Sequence, residues 1–510
     1  MNRLILIFFL FILAGCGSGK NTSYSNNTKI RGILFDSQIS GVEYNCGPIK
    51  GITTKNGEFL CPINSTVTFT IGGVLLGSFV ENNTTLYLTP AKLYGLKYNN
   101  ITDNRIINFI RLVQSLDSDN NASNGIDIDA TTREALKNVN LNISNANTTQ
   151  SDLNKIVSMA GETLVAQDEA LIHYINVLKN VLSVIFTNEP YYYQQWYLAK
   201  NSTFYDENKI EKDANIHVND LLRVYTGKGV KIAVIDNGLD ITHEDLKNAI
   251  IDTYSVITNS ANVSHTNANG YHGTAVTGII AARRNGKGIQ GIASQSQVIF
   301  LQYKENMSDS ETVELFNKAE KFGADIINCS WGTYDVSQSV KDKIVDLAKN
   351  GRNGKGTIIV FACGNDDKDM GNDESAIPEV ISVGATNKDN LRTWYSNYGK
   401  YLDIVAPGGY DVGITTLDPM YSNGIASIVD NYLLYNDSNS FIGTSASAPI
   451  ISGVVALMLE KNPNLTRVEV EKILENSSDK IGSLQYENGR NDYYGYGKVN
   501  VNQIMHMLNL

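Results

Sequence analysis

The chain has 510 residues, enough for about three domains of ordinary size. Hydrophobic residues make up 42% and charged residues 19%, a globular composition that excludes a disordered chain. Its 42 Lys plus Arg stand against 53 Asp plus Glu, and the net charge of −11 argues against nucleic acid as a partner, since phosphate binding needs a basic footprint.

In chain order, Met1-Asn2-Arg3 gives a short positive start and Leu4 to Leu13 an apolar run closed by Ala14-Gly15-Cys16, the layout of an export signal. The run is about ten to twelve residues, short of the roughly 20 that span a bilayer. Small residues before a cysteine resemble the lipobox of bacterial lipoproteins. That resemblance implies a signal peptide over residues 1–15 and lipidation of Cys16; an ordinary secretory signal with an incidental cysteine is the alternative. It puts the protein in the bacterial cell envelope, held to a membrane by its N-terminal lipid. Gly17, where some enteric bacteria carry an acidic retention signal, points to the outer membrane or cell surface. Residues 16–28, polar and rich in Ser, Asn, Thr and Gly, read as a flexible tether.

Residues 29–100 alternate short β-rich runs, such as Val67 to Ile71, with turns such as Asn56-Gly57, and predict a small β-sandwich or barrel. With Leu112 to Asp117 and Ser123 to Ile126, this stretch loosely resembles modules repeated in bacterial surface lipoproteins. Over residues 101–187 the apolar period changes to that of helices: Ile106, Phe109, Ile110 and Val113, then Leu171, Ile175 and Leu178. Asp117, Asp119, Asn121 and Asn124 lack the terminal Glu of a calcium hand and read as a solvated loop. The helical stretch is a spacer, an inhibitory segment or a folding aid. Cys46 and Cys61 flank a turn-rich segment and are able to pair in an oxidising compartment. Cys329 and Cys363 sit in apolar runs, as buried thiols do.

From residue 188 to 510, apolar β runs alternate with helix-length segments: Val230 to Ile235, Val298 to Leu301, Ile326-Ile327, Ile358 to Ala362 and Val380 to Val383. That pattern predicts an α/β domain with a buried parallel sheet, helices on both faces, and a site beyond the strands' C-terminal ends. Three polar motifs fall at such places. Val234-Ile235-Asp236 is a buried strand ending in a carboxylate. His272-Gly273-Thr274 opens a helix of small residues, and Gly443-Thr444-Ser445-Ala446-Ser447-Ala448-Pro449 is a tight turn into an apolar helix. Taken singly, each is a cap or a packed residue as readily as a catalytic one. Taken together they supply what peptide hydrolysis needs: a nucleophile, a base, and a carboxylate to orient the base.

The order Asp, His, Ser with these flanks resembles the subtilisin-like serine peptidases over roughly Glu189 to Val501, and is especially similar to the kexin and furin-like branch. The resemblance implies a serine endopeptidase acting on protein or peptide substrates, with Ser445 as nucleophile, His272 as base and then acid, and Asp236 orienting the imidazole. Asn365, in Phe361-Ala362-Cys363-Gly364-Asn365, matches the oxyanion-hole asparagine, and Ser330-Trp331-Gly332 matches the segment that pairs with an extended substrate backbone. Asp335, four residues after Trp331, falls where the furin-like branch carries an acidic residue for a basic side chain, with Asp373 a second candidate. Asn237 departs from that branch's Asp and puts dibasic specificity in doubt. The resemblance also implies a structural Ca²⁺, with Glu189, Asp245 and Asn285 as matching ligands. The rival function is a catalytically inactive surface lipoprotein for binding or adhesion; a third is that residues 30–186 are the adhesive part, which the peptidase trims.

Overall fold

The computed structural model describes residues 29–62, 64–80, 87–96, 101, 103–182, 189–198, 200–218, 221–264, 268–421 and 424–508. The export segment and Cys16 lie outside the described residues. The chain forms two compact units, Met1–Leu164 and Val165–Leu510. The helix Gln167–Leu182 belongs to the second, so the helical stretch 101–187 is shared between the units.

Among its described residues the first unit has two small sheets and a two-stranded parallel pair, Ile39–Ser40 with Ile126–Asp127. One sheet has five strands in the order Leu141–Asn142, Val74–Val80, Thr66–Ile71, Glu43–Cys46, Ile49–Ile52; the other has three, with Lys29–Leu34 between Glu58–Pro62 and Tyr87–Leu88. Thr66–Ile71 alternates in the way a half-buried strand must, with Val67, Phe69 and Ile71 inside. Cys46 and Cys61 form a disulfide. Helix Asn104–Ser115 is capped by Asp103, and Gln150–Met159 by a reciprocal pair between Thr149 and Asp152. In the Asp117 loop, the Asp117 carboxylate accepts from the Asn121 and Asp127 N–H groups, and Asp119 from Asn121 N–H and Asn124 Nδ2. These oxygens close their own turn.

The second unit is a seven-stranded, wholly parallel sheet. In chain order its strands are β1 (Lys231–Asp236), β2 (Ile250–Ser255), β3 (Gln297–Gln302), β4 (Ile326–Cys329), β5 (Ile358–Ala362), β6 (Ile381–Thr386) and β7 (Ile404–Pro407), arranged β2-β3-β1-β4-β5-β6-β7. The sequence patterns had marked five of the seven. The central strands are buried on both sides, as a parallel sheet between helices requires. Ile232 and Val234 of β1 face one helical layer, which contains α1 (His272–Ala281) and α4 (Thr444–Lys461). Ala233 and Ile235 face the other, with α2 (Asp309–Phe322) and α3 (Gln338–Gly354). Small residues bring α1 close: a Cβ at Gly273 would meet the Gly238 carbonyl oxygen at 2.3 Å, and one at Gly278 the Leu417 side chain at 2.5 Å. The chain leaves β1 for the β2 edge, returns through β3, and crosses to β4 on the other side of β1. The C-terminal rim of β1 and β4 is therefore the switch point of the sheet, where such folds open a crevice.

Among the described residues the two other cysteines, Cys329 at the end of β4 and Cys363 just past β5, are free and buried. No described helix is long and apolar enough to cross a membrane.

Candidate active site

Asp236 is the last residue of β1, and its side chain is fully buried. His272 is the first residue of α1, and its Nδ1 lies 2.8 Å from Asp236 Oδ1. The same oxygen accepts the Asn237 N–H at 2.8 Å, which fixes the carboxylate from the strand side. A carboxylate on Nδ1 selects the imidazole tautomer that leaves Nε2 free to accept a proton. Burial pulls the His272 pKa down, but the charge and hydrogen bond of Asp236 outweigh it and hold the imidazole above its ordinary value. Phe441 packs its ring edge-on to His272 at 5.5 Å.

Ser445 is the second residue of α4, an eighteen-residue helix whose N-terminal dipole favours negative charge beside it. It is 9% exposed. Gly443 starts the helix at φ +119°, a conformation suited to glycine, and its N–H donates to Tyr395 Oη at 3.1 Å. Ser445 Oγ donates to the Ser330 carbonyl at 3.0 Å, and no hydrogen bond joins it to His272 among the described residues. The structure thus forms the Asp236–His272 pair and leaves the serine hydroxyl turned to Ser330, just past the end of β4.

Asn365 lies three residues past the end of β5 and is exposed. Its amide oxygen accepts from Thr444 N–H at 2.9 Å and Thr444 Oγ1 at 3.0 Å. That leaves Nδ2 as a donor without a partner among the described residues. Thr444 was not singled out from the sequence, although its place next to the nucleophile candidate was the signal. Asn397 was also missed. Fully buried, it accepts the Asp366 and Lys368 N–H groups on its amide oxygen and donates its own N–H to Gly364, so the Asn365 loop hangs from it. Nothing local in the sequence marks Asn397, which lies 32 residues further on.

Ser330-Trp331-Gly332 follows β4 and lies outside every sheet ladder. Trp331 turns inward: its indole N–H donates to the Ile235 carbonyl at 2.9 Å, and its ring meets Phe361 at 5.4 Å. Gly332 is required by crowding, since a Cβ there would sit 2.5 Å from Asp373 Oδ2. Asp335 is exposed, with Asn372 Nδ2 donating to it at 3.0 Å. Asp373 is buried and its carboxylate accepts from Tyr334 N–H, Ser375 N–H and Ser375 Oγ, while the neighbouring Glu374 accepts from Thr333 N–H and Oγ1. The second acidic residue suggested for a basic side chain is therefore committed to shaping the backbone of residues 333–335.

Glu189, Asp245 and Asn285 meet around one loop. Asn285 Nδ2 donates to Asp245 Oδ1 at 3.0 Å, Ile289 N–H to Asp245 Oδ2 at 3.2 Å, and Gly286 N–H to Glu189 Oε1 at 3.0 Å. Asp245 is fully buried, and burial pushes its carboxyl up to about 7 despite the bonds from Asn285 and Ile289. A buried carboxylate met only by neutral donors, beside a second carboxylate, offers Ca²⁺ hard oxygens, whereas Asn285 presents Nδ2 there with its oxygen on the Lys287 N–H and would have to flip its amide to add a third.

Residues 227–497, more than half of the chain, match the sequence profile of the subtilase family of peptidases. The chain belongs to that family. It is 32% identical over 345 residues to a calcium-dependent protease of a Nostoc species, covering 62% of this chain and 51% of that one. It is 29% identical over 362 residues to a thermophilic serine proteinase of a Bacillus species (68% and 82%), and 31% identical over 342 to a dibasic-processing endoprotease of Yarrowia lipolytica (62% and 34%). The chain spans about half the length of the first of these relatives. Among solved structures, a serine protease of Aeromonas sobria, crystallised with its chaperone, aligns with a TM-score of 0.55 at 21% identity, covering 64% of this chain and 67% of that one. At that identity the likeness supports the subtilase fold.

Proposed function

We propose that this subtilase is a serine endopeptidase, with Ser445 as nucleophile, His272 as general base and acid, Asp236 as the orienting carboxylate and Asn365 as oxyanion donor. The observation that carries the reading is the 2.8 Å contact of a buried strand-end carboxylate with a helix-start histidine; a serine in the first turn of another helix, its hydroxyl on the Ser330 carbonyl just past β4, completes the set of groups. An extended substrate backbone adds alongside residues 330–332, with Asp335 offering an exposed carboxylate to a basic side chain there. The Ser445 hydroxyl turns from the Ser330 carbonyl to His272 Nε2, gives up its proton, and attacks the scissile carbonyl. The Ser445 N–H and Asn365 Nδ2 stabilise the oxyanion, and Thr444, by occupying the Asn365 carbonyl, keeps Nδ2 turned outward. The imidazolium then protonates the leaving amine, and water releases the acyl group by the same route.

Glu189, Asp245 and Asn285 would hold a Ca²⁺, whose charge offsets the buried Asp245 carboxylate and braces the loop beneath α1. The name of the Nostoc relative, a calcium-dependent protease, is in keeping with this. The lipobox at Cys16 supports a lipid-anchored enzyme of the cell envelope, outside the cytoplasm. Protein lacking residues 1–16 should cleave casein and take up a fluorophosphonate label, and Ser445→Ala should abolish both. Cleavage that persists in that variant would rule out the assignment.

A further inference from the structure

Helix α4 carries Pro449 four residues after Ser445. Proline has no N–H, so the Ser445 carbonyl lacks its regular helical donor. A buried carbonyl in that position needs a partner from elsewhere. The partner is Ser330 Oγ, which donates to the Ser445 carbonyl at 3.1 Å, while Ser445 Oγ donates back to the Ser330 carbonyl at 3.0 Å. Two serines 115 residues apart therefore clasp each other, side chain to main chain in both directions.

The clasp has a buried backing. Ser330 Oγ has one hydrogen, spent on Ser445, and accepts Asn328 Nδ2 at 3.1 Å; Asn328 Oδ1 in turn accepts Ser452 Oγ at 2.8 Å. Asn328 and Ser452 are fully buried. The donor order is fixed, because the Ser330 hydroxyl, already donating, can take only the N–H side of the Asn328 amide. Ser452 lies on α4 seven residues beyond Ser445, so the chain of bonds leaves the helix, crosses the end of β4 and returns to the first turn. Within the low dielectric of the core such a chain is stiff.

We propose that the Ser330 hydroxyl, backed by Asn328 and Ser452, is a positioning group for the nucleophile: it replaces the helical hydrogen bond that Pro449 omits and sets Ser445 relative to His272 and Asn365. The inference rests on the serine peptidase reading above. Its consequence is mechanical. Ser330 belongs to the segment assigned to the substrate backbone, so the same residue fixes both substrate and nucleophile. A small misplacement between them costs rate and leaves affinity unchanged.

The test is a double-mutant cycle on the mature chain, with kcat expressed per site titrated by fluorophosphonate, so that only folded enzyme counts. Ser330→Ala should lower kcat and the labelling rate together by roughly tenfold with KM within about twofold, the effect of one lost buried hydrogen bond. Pro449→Ala restores an N–H to the helix, and in that background Ser330→Ala should cost less than about threefold. Ser452→Ala, which touches no substrate, should lower kcat by about threefold through Asn328. Equal costs of Ser330→Ala with and without Pro449, or an unchanged rate per titrated site, would overturn the proposal while leaving the peptidase intact. A parent chain that takes no label at Ser445 would bring down the peptidase reading and this inference together.

Discussion

The two units handle buried polar groups differently, though not in how far apart the bonded residues lie. The first unit has long-range bonds of its own: Gln114 Nε2 to Asp36, 78 residues apart, and Arg133 to the Gly41 carbonyl, 92 apart. Around Asp117 and Asp127, hydroxyl and N–H donors meet the carboxylates, and the groups satisfy one another. At the rim of the large sheet the bonds join residues 36, 79 and 115 apart; the Ser445–Ser330 pair is closed in both directions, but the other two end on something uncommitted. Asp236 takes Nδ1 of His272 and leaves Nε2; Thr444 takes the oxygen of Asn365 and leaves Nδ2. A satisfied cluster stabilises a fold. An oriented group with one end left over can do chemistry; the first unit has one at Asp36, whose Oδ1 is buried without a partner among the described residues while Oδ2 takes Gln114, but the second unit gathers two at one rim of its sheet.

The largest expected effect comes from removing what orients the remainder. Asp236→Asn keeps the shape but changes which nitrogen of His272 carries the proton, and kcat should fall by on the order of 10⁴. The same substitution removes the charge that holds the imidazole pKa above its ordinary 6.5, leaving burial to pull it down. His272 must be neutral to act as a base, so activity rises as pH climbs through that pKa. The acid limb of kcat/KM should therefore move to lower pH in the variant, even as the plateau drops. A limb that stays in place would mean that another group sets it.

Much of this site was legible because each member sits at an element boundary with a marked signature. Asp236 ends an apolar run, His272 opens a helix of small residues, and Ser445 lies two residues after a glycine and precedes an alanine-rich turn. The sheet was legible for the same reason, with fully apolar strands standing out as runs. β2 escaped because Ile250–Ser255 is only half-buried and mixes Asp252, Thr253 and Ser255 among its apolar residues, and β7, no shorter than β4, because its run ends in a proline, which counts against a strand. Asn397 and the Ser330 hydroxyl were illegible for a different reason. Their roles depend on which backbone groups the fold leaves unpaired beside them. Asp373 shows the same limit, since its charge was visible in the sequence and its backbone partners were not.

The next test acts on the first unit alone. Cys46 and Cys61 close a loop with a sequence separation of 15, for which chain-entropy arguments give about 3 kcal/mol. Replacing both by serine should weaken hydrogen-exchange protection through residues 29–80 to that extent. The kcat/KM of the second unit should stay within about twofold, because every residue assigned to its site belongs to that unit. A large loss of activity would show that the first unit supports catalysis directly, and the contrast drawn above would not stand.

Chelation should do the reverse, with a somewhat smaller effect. If a Ca²⁺ sits on Glu189, Asp245 and Asn285, its binding stabilises the second unit by about 2.7 kcal/mol at a hundredfold excess over Kd. Removing it leaves the Asp245 carboxylate buried against neutral donors, a state that burial disfavours. EDTA should therefore lower the temperature at which activity is lost, and excess Ca²⁺ should restore it. Exchange protection in residues 29–80 should not change. Asp245→Asn keeps the packing but removes the charge that attracts the ion, so that variant should lose its response to EDTA while remaining folded. If the inactivation temperature ignores the chelator, the carboxylate is held by its N–H donors alone, and the loop needs no metal.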